Sequence, residues 1–181
     1  MPVMIALLRG INLAGHHKVK MEDLRALCHS LKLRDVQTYV QSGNVVFRTD
    51  EKDTALLTKR MEDAIERKFG FRAGVVLRTT AELRDLIAQS PFGKRKGLEP
   101  SKLTVTFLAC DLTKETCDQV LGIKPEVEEI KLGRRELYIY FPDGMGRSKL
   151  TAVLDRTLKK AGTVRNWNTV TKLLEMAEEM D

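Results

Sequence analysis

Arginine, asparagine and serine side chains gather at glycine-marked or helix-opening segments of the chain, namely residues 9–12 with 42–44, residues 142–149 and residues 165–169. A guanidinium binds phosphate or carboxylate through two parallel hydrogen bonds, and backbone N–H groups at a helix start favour an anion. These segments therefore predict anion binding. The candidate ligand-binding residues are Arg9, Asn12, Lys18, Ser42, Asn44, Arg147, Ser148, Lys149, Arg165, Asn166 and Asn168.

Each segment also has a local structural interpretation, which stays open at this point. Asn12 and Asn44 are of a residue type that stabilises turns through its own side chain. Ser148 and Asn166 are of residue types that cap the first turn of a helix. Trp167 falls on an apolar helical stripe, where core packing is favoured over stacking on a nucleic-acid base.

Residues 142–149 (PDGMGRSK) follow a predicted strand and open a predicted helix. A glycine-rich strand-to-helix turn can hold phosphate on the N–H groups of the helix start. The spacing differs from the G-x-x-x-x-G-K-[ST] pattern of the P-loop. The segment therefore predicts a phosphate-binding turn outside that class.

Motifs for catalysis or metal binding are weak. His16 and His17 are adjacent, and neighbouring side chains of an extended segment point apart. The cysteines Cys28, Cys110 and Cys117 lack the C-x-x-C spacing of a zinc site and are expected to be reduced. The sequence predicts no metal and no cofactor, and it leaves open whether the protein is an enzyme.

The composition is that of an ordinary globular protein with a mild basic excess. Of the 181 residues, 43% are hydrophobic and 31% are charged, and the formal net charge is +6. No window approaches the roughly 18 apolar residues of a membrane span, so no membrane partner is expected and a cytoplasmic location is predicted. The excess charge is spread over both halves, which argues against a polybasic tail.

Hydrophobic periodicity predicts the order strand–helix–strand–strand–helix–strand in the first half. The strands are predicted at 3–8, 36–41, 44–48 and 72–78, with a two-residue turn at Ser42 and Gly43. The second helix is predicted from an apolar stripe that ends at Gly70, namely Leu57, Met61, Ala64 and Ile65, and Thr79-Thr80-Ala81-Glu82 is a capping box that predicts the start of a third helix. This order is typical of a ferredoxin-like split βαβ unit. Because the first and second strands of such a unit run in the same direction, segments 9–12 and 42–44 are expected to lie side by side.

The pattern then repeats, with strands predicted at 102–109, 128–132, 136–141 and 162–165 and a final helix from Trp167. We therefore predict an α+β protein of two ferredoxin-like (βαββαβ-type) subdomains, each a two-layer helix-on-sheet sandwich, plus a C-terminal helix. The predicted domains are residues 1–90 and 102–181. The Gly- and Pro-rich residues 91–101 are the predicted linker, with a solvated basic triplet at 94–96.

Four motifs in order resemble the bacterial domain-of-unknown-function 1697 family. They are residues 6–12 (ALLRGIN), 38–47 (TYVQSGNVVF), 140–150 (YFPDGMGRSKL) and 165–170 (RNWNTV). The resemblance covers nearly the whole chain and implies two small α+β subdomains built from ferredoxin-like elements. The chain departs from the family pattern at Ala14-Gly15, where a Gly-Gly or similar pair is usual. The resemblance supplies no reaction, so it assigns no catalytic role.

Three functions fit these observations. The leading hypothesis is a phosphate-bearing ligand, a nucleotide or nucleic acid, bound by the polar loops. The second is an enzyme acting on a small anionic metabolite, held by Arg9, Arg147 or Arg165. The third is a homo-oligomeric interaction module, such as a homodimer, without catalysis. The scattered arginines match a compact anion better than a long nucleic acid.

Overall fold

Two four-stranded antiparallel sheets carry the fold. The computed structural model describes residues 1–181, whose contacts divide them into a first unit, Met1–Arg84 with Lys172–Asp181, and a second unit, Asp85–Thr171. The predicted α+β class, with two sheets and a C-terminal helix, is confirmed. The predicted domain boundaries on either side of residues 91–101 stay a prediction.

The first unit has the order strand–helix–strand–strand–helix–strand. Its elements are β1 (Val3–Leu8), α1 (Met21–Ser30), β2 (Arg34–Tyr39), β3 (Asn44–Arg48), α2 (Thr54–Phe69) and β4 (Val75–Thr79), followed by α3 (Thr80–Ala88). The strand order in the sheet is β2-β3-β1-β4, with antiparallel neighbours throughout. Because β1 and β2 both run antiparallel to β3, they run in the same direction and end at the same edge.

Local signals define α2 well. The Asp53 side chain accepts a hydrogen bond from the N–H of Leu56, and Gly70 ends the helix in the left-handed conformation at φ 79°. A stripe of Leu57, Met61, Ala64 and Ile65 is buried against the sheet. The helix predicted from this stripe and its glycine stop is confirmed. At α3, the predicted capping box of Thr79 and Glu82 is also present, with reciprocal hydrogen bonds of 2.8 and 3.1 Å.

The β2–β3 connection is longer than predicted. It spans residues 40–43 instead of the two residues expected, because Val40 leaves the extended region at φ 51° and Gly43 lies at φ 88°. The Asn44 amide donates to the carbonyl of Tyr39 at 2.8 Å. This hydrogen bond spans the four residues of the turn. The alternation of apolar and polar residues does not predict it.

The second unit repeats the order of the first. Its elements are β5 (Leu103–Phe107), α4 (Lys114–Leu121), β6 (Glu129–Leu132), β7 (Glu136–Tyr140), α5 (Leu150–Thr157) and β8 (Thr163–Asn166). The last helix, α6 (Trp167–Met180), follows β8, and its residues from Lys172 onwards belong to the first unit. The strand order is β6-β7-β5-β8, so the first strand of the unit is again central. Short 3-10 turns cover Pro100–Lys102 and Met145–Arg147. No helix of the chain is both long and apolar enough to cross a bilayer.

Each unit has its own apolar core between its sheet and its helices. In the first unit, Ala6, Leu8 and Phe47 of the sheet pack with Leu24 of α1 and Met61 of α2, all at most 4% exposed. In the second unit, the corresponding cluster is formed by Leu137, Ile139, Val120, Leu150 and Leu154. The sheets therefore provide rigid platforms from which the polar loops project.

Candidate functional site

The β1–α1 loop (residues 9–20) and the β2–β3 turn (residues 40–43) lie side by side at one edge of the first sheet. The N–H of Leu8 donates to the carbonyl of Gly43 at 2.8 Å. A Cβ on Gly43 would lie 2.7 Å from Cδ1 of Ile11 and 2.8 Å from Cβ of Leu8. The juxtaposition expected from the strand directions is confirmed, and glycine is required at this contact.

Asn12 joins these two segments through its carboxamide. Its Nδ2 donates to the carbonyls of Val19 at 3.0 Å and Gln41 at 2.7 Å, and its Oδ1 accepts from the N–H of Val19 at 2.8 Å. All of these partners are backbone groups of the loop and turn. The contacts of Asn12 therefore favour a role in stabilising the loop and turn over a role in binding a ligand.

Asn44 has a similar internal role. It is fully buried, and its Nδ2 donates to the carbonyl of Tyr39 and to the hydroxyl of Ser42 at 2.9 Å. Ser42 is half-buried within the turn. These contacts show that the two side chains hold the turn together.

The basic residues of this loop differ in exposure. Arg9 is half-buried, and its N–H donates to the carbonyl of Gly74 at 2.8 Å. Lys18 is exposed, with no hydrogen bond or ion pair. Beside it, the ring of His17 stacks on Phe71 at a centroid distance of 4.1 Å. Lys18 is therefore the predicted residue of this loop that is most open to a ligand.

The β7–α5 loop (residues 142–149) opens the corresponding helix of the second unit. Gly144 lies at φ 85°, a conformation that favours glycine, whereas Gly146 has open space around it and no positive φ. Arg147 and Lys149 are exposed and take part in no hydrogen bond or ion pair. Two cations without a partner thus flank Ser148 in this loop.

Ser148 is oriented by a carboxylate that the sequence did not identify. Its hydroxyl donates to Oε1 of Glu128 and accepts from the N–H of Leu150 at 3.1 Å. The hydrogen bond from Ser148 is the largest cause that holds the pKa of Glu128 below its usual value, and nearby backbone N–H groups lower it further. The prediction that Ser148 is the N-cap is wrong, because Lys149 is the residue that precedes the helix and the Ser148 hydroxyl accepts only from the N–H of the first helical residue, Leu150.

Arg165 and Asn166 end β8. Arg165 is only 7% exposed, and its Nη1 donates to the carbonyl of Val164 at 2.9 Å. Burial lowers the pKa of Arg165 to about 10, so its guanidinium remains charged at neutral pH. Asn166 accepts from the N–H of Asn168 at 2.9 Å and thereby caps α6, as one of the two interpretations predicted. The side chain of Asn168 is exposed.

The second-unit candidates emerge at one end of one sheet. The N–H of Phe141, just before the β7–α5 loop, donates to the carbonyl of Lys102 at 2.8 Å. The Nδ2 of Asn166 donates to the carbonyl of Ser101 at 2.8 Å. The loop and the start of α6 therefore flank the beginning of β5 on its two sides, a placement that the sequence analysis did not reach.

The basic triplet at residues 94–96 is exposed, as expected, and one of its three cations is ion-paired. Arg95 forms a bidentate ion pair with Glu129, and its guanidinium lies 5.2 Å from the ring centroid of Phe92. Phe92 itself is only 3% exposed. Lys94 and Lys96 remain exposed. The segment is thus exposed and is also held to β6 by one of its three cations, a contact that the sequence did not predict.

In the second unit, as in the first, the loop after the central strand is hydrogen-bonded to the turn of the neighbouring hairpin. The N–H of Leu108, after β5, donates to the carbonyl of Arg135 at 2.9 Å, and the N–H of Leu112 donates to that of Arg134 at 3.0 Å. Here the side chain of Asp111 pairs with Arg134, at 2.9 Å between Oδ2 and Nε. Each unit therefore ties the loop after its central strand to its hairpin turn, although the side chains used are different.

Two of three comparisons relate the chain to known proteins. The model of a family described as "Protein of unknown function (DUF1697)" matches residues 1–138. No curated protein matches the chain. A solved structure, that of the conserved bacterial protein SP0830 from Streptococcus pneumoniae, is similar with a TM-score of 0.81 and 21% sequence identity, over 97% of this chain and 98% of that one. At 21% identity, this similarity shows a shared fold alone.

Proposed function

Since the chain belongs to the DUF1697 family, whose description gives no function, we propose from its own loops that it binds a compact phosphate-bearing ligand such as a nucleotide. The β7–α5 loop is the proposed site. The observation that carries the proposal is the pair of exposed cations, Arg147 and Lys149, without an ion-pair partner on either side of Ser148. Phosphate oxygens are the acceptors that such cations recognise.

The helix that follows adds to this attraction. The first turn of α5 has no acidic residue, and the residue before it, Lys149, makes no side-chain cap. The N–H of Leu150 is already donated to Ser148, and the positive end of the helix dipole and the N–H groups that follow Leu150 favour an anion. Neither conformation nor packing requires glycine at Gly146, and an uncrowded backbone is what a closely approaching phosphate needs.

Glu128 bears on the choice between binding and catalysis. A general base works best when its pKa lies near the working pH. The pKa of Glu128 is lowered from an already acidic value, so the carboxylate is a weak base for the Ser148 hydroxyl. The single hydroxyl proton of Ser148 is donated to Glu128, so the pair fixes the loop between Arg147 and Lys149 and does not activate the hydroxyl. Binding is therefore favoured over the alternative of an enzyme acting on an anionic metabolite.

The first-unit loop is the weaker part of the proposal. The carboxamides of Asn12 and Asn44 are used within the loop and turn, which leaves Lys18 as the exposed cation there. Arg165 and Asn166 fit a structural role at the start of α6 more readily than direct contact with a ligand. The anion-binding roles of these residues stay a prediction, as do a cytoplasmic location and a homodimer.

Titration calorimetry with pyrophosphate and ATP tests the proposal. We expect Arg147→Ala to weaken binding about tenfold, the effect of losing one charge-assisted hydrogen bond. Arg156→Ala removes the same charge from the other end of α5 and should leave affinity within about twofold. The proposal would be contradicted if neither pyrophosphate nor ATP binds, or if Arg147→Ala and Arg156→Ala lose affinity equally. A steep fall in affinity with salt for single-stranded RNA but not for ATP would favour nucleic acid instead.

A further inference from the structure

We infer that a second, independent binding site lies in the second unit, in a cleft between α4 and the end of α5, and that it takes a small zwitterion with an apolar body, such as a free apolar α-amino acid. The cleft has a volume of about 410 Å³, within the range of small-molecule sites. Its lining includes the whole β5–α4 connection, residues 108–113.

The cleft exists because this connection is short. In the first unit, the corresponding β1–α1 loop is twice as long, and it buries Ile11 and Val19 in the core at 1% and 3% exposure. In the second unit, the shorter connection faces the open space instead. The longer loop thus adds two apolar side chains to the core of the first unit, whereas the shorter connection of the second unit lines an accessible cleft.

The floor of the cleft is apolar. Leu108 and Leu158 line it and are 7% and 8% exposed, and Leu112 is half-buried beside them. Ala109 and Ala161 add further apolar surface. A floor of this kind removes an apolar side chain from water, which favours a ligand with an aliphatic body.

The rim offers one charge of each sign without a partner. Glu115 of α4 and Lys159, just after α5, both line the cleft, are exposed and take part in no ion pair. The other carboxylate, Asp111, is already paired with Arg134. An ammonium group can bind Glu115 while a carboxylate binds Lys159, and a free α-amino acid carries both groups on its α-carbon, so one small ligand supplies a partner for each charge.

Cys110 provides a reporter in the native protein. Its thiol is exposed and lines the cleft, whereas Cys117 lies on α4 outside the lining and Cys28 is buried. The rate of alkylation at each cysteine can be read separately by peptide mass spectrometry. The probes are L-leucine, N-acetyl-L-leucine, which lacks the ammonium, and L-leucinamide, which lacks the carboxylate.

We expect L-leucine at millimolar concentration to slow alkylation of Cys110 and leave Cys117 unchanged, with the two capped probes about tenfold weaker. Lys159→Met should abolish the preference for L-leucine over L-leucinamide, and Glu115→Gln the preference over N-acetyl-L-leucine. The matched control Lys160→Met changes a neighbour outside the lining and should behave as wild type. No protection by L-leucine, equal protection by all three probes, or equal effects of Lys159→Met and Lys160→Met would overturn the inference.

Discussion

The carboxamide of Asn12 lies 2.7 Å from the carbonyl oxygen of Gln41, a residue 29 positions further along the chain. The same side chain also accepts from the N–H of Val19 and donates to the carbonyl of Val19. One residue therefore closes the β1–α1 loop on itself and ties it to the β2–β3 turn. Asn12 also lies at φ 54°, a conformation that asparagine tolerates better than most residues.

Asn12→Ala should destabilise the protein by about 2 kcal/mol. The substitution leaves the N–H of Val19 and two carbonyls without their side-chain partner, and an unsatisfied, partly buried polar group costs about 1–3 kcal/mol. Urea unfolding measures the change. Asn168→Ala is the control, because that exposed side chain makes no hydrogen bond, and it should stay within about 0.5 kcal/mol of wild type. Equal stability of the two variants would contradict the role given to Asn12.

Gly43→Ala should be more damaging, at about 3 kcal/mol. The added Cβ would meet Ile11 and Leu8 below 3.0 Å, and alanine is strained at φ 88°. Gly146→Ala is the matched control, since its Cβ meets nothing within 4 Å and its φ is not positive. It should unfold at nearly the wild-type urea concentration. A stability loss at Gly146 as large as that at Gly43 would show that the packing argument is wrong.

The sequence predicted well what depends on neighbouring residues. The stripe of Leu57, Met61 and Ile65 with a stop at Gly70 predicted α2, and the capping box at Thr79 and Glu82 predicted the start of α3. Strand direction also predicted that residues 9–12 and 42–44 meet. These signals are local, or they follow from the topology alone.

The sequence did not predict what depends on distant pairing. Glu128 reaches Ser148 only because β6 pairs with β7, which brings residues 20 positions apart into contact. The choice between a turn-stabilising and a ligand-binding Asn12 depended on where the carbonyl of Gln41 lies. Glu115 and Lys159 line the same cleft only because α4 packs beside α5. Such contacts require the folded backbone and leave no periodic signal in the residue types.

Cysteine reactivity should follow burial. Burial raises the pKa of the Cys28 thiol to about 12, although Lys68 lowers it slightly, so little thiolate forms near neutral pH. At about pH 8, iodoacetamide should alkylate exposed Cys110 while Cys28 stays unmodified, and Cys28 should react only after unfolding in denaturant. Peptide mass spectrometry measures both sites. Alkylation of Cys28 at the rate of Cys110 in the native protein would contradict its buried position.

Ser148→Ala should raise the pKa of Glu128 toward its usual value of 4.5, because the hydrogen bond that favours the carboxylate is removed. A carboxyl group with a lowered pKa stabilises the fold above its unfolded pKa, and this stabilisation is lost as the pH falls through the folded value. The stability difference between wild type and Ser148→Ala should therefore be constant well above pH 4.5 and should shrink as the pH falls below 4.5. NMR titration of the Glu128 carboxyl measures the pKa directly. Ser101→Ala, which removes an exposed hydroxyl without a hydrogen bond, is the control, and an unchanged Glu128 pKa in Ser148→Ala would contradict the assigned contact.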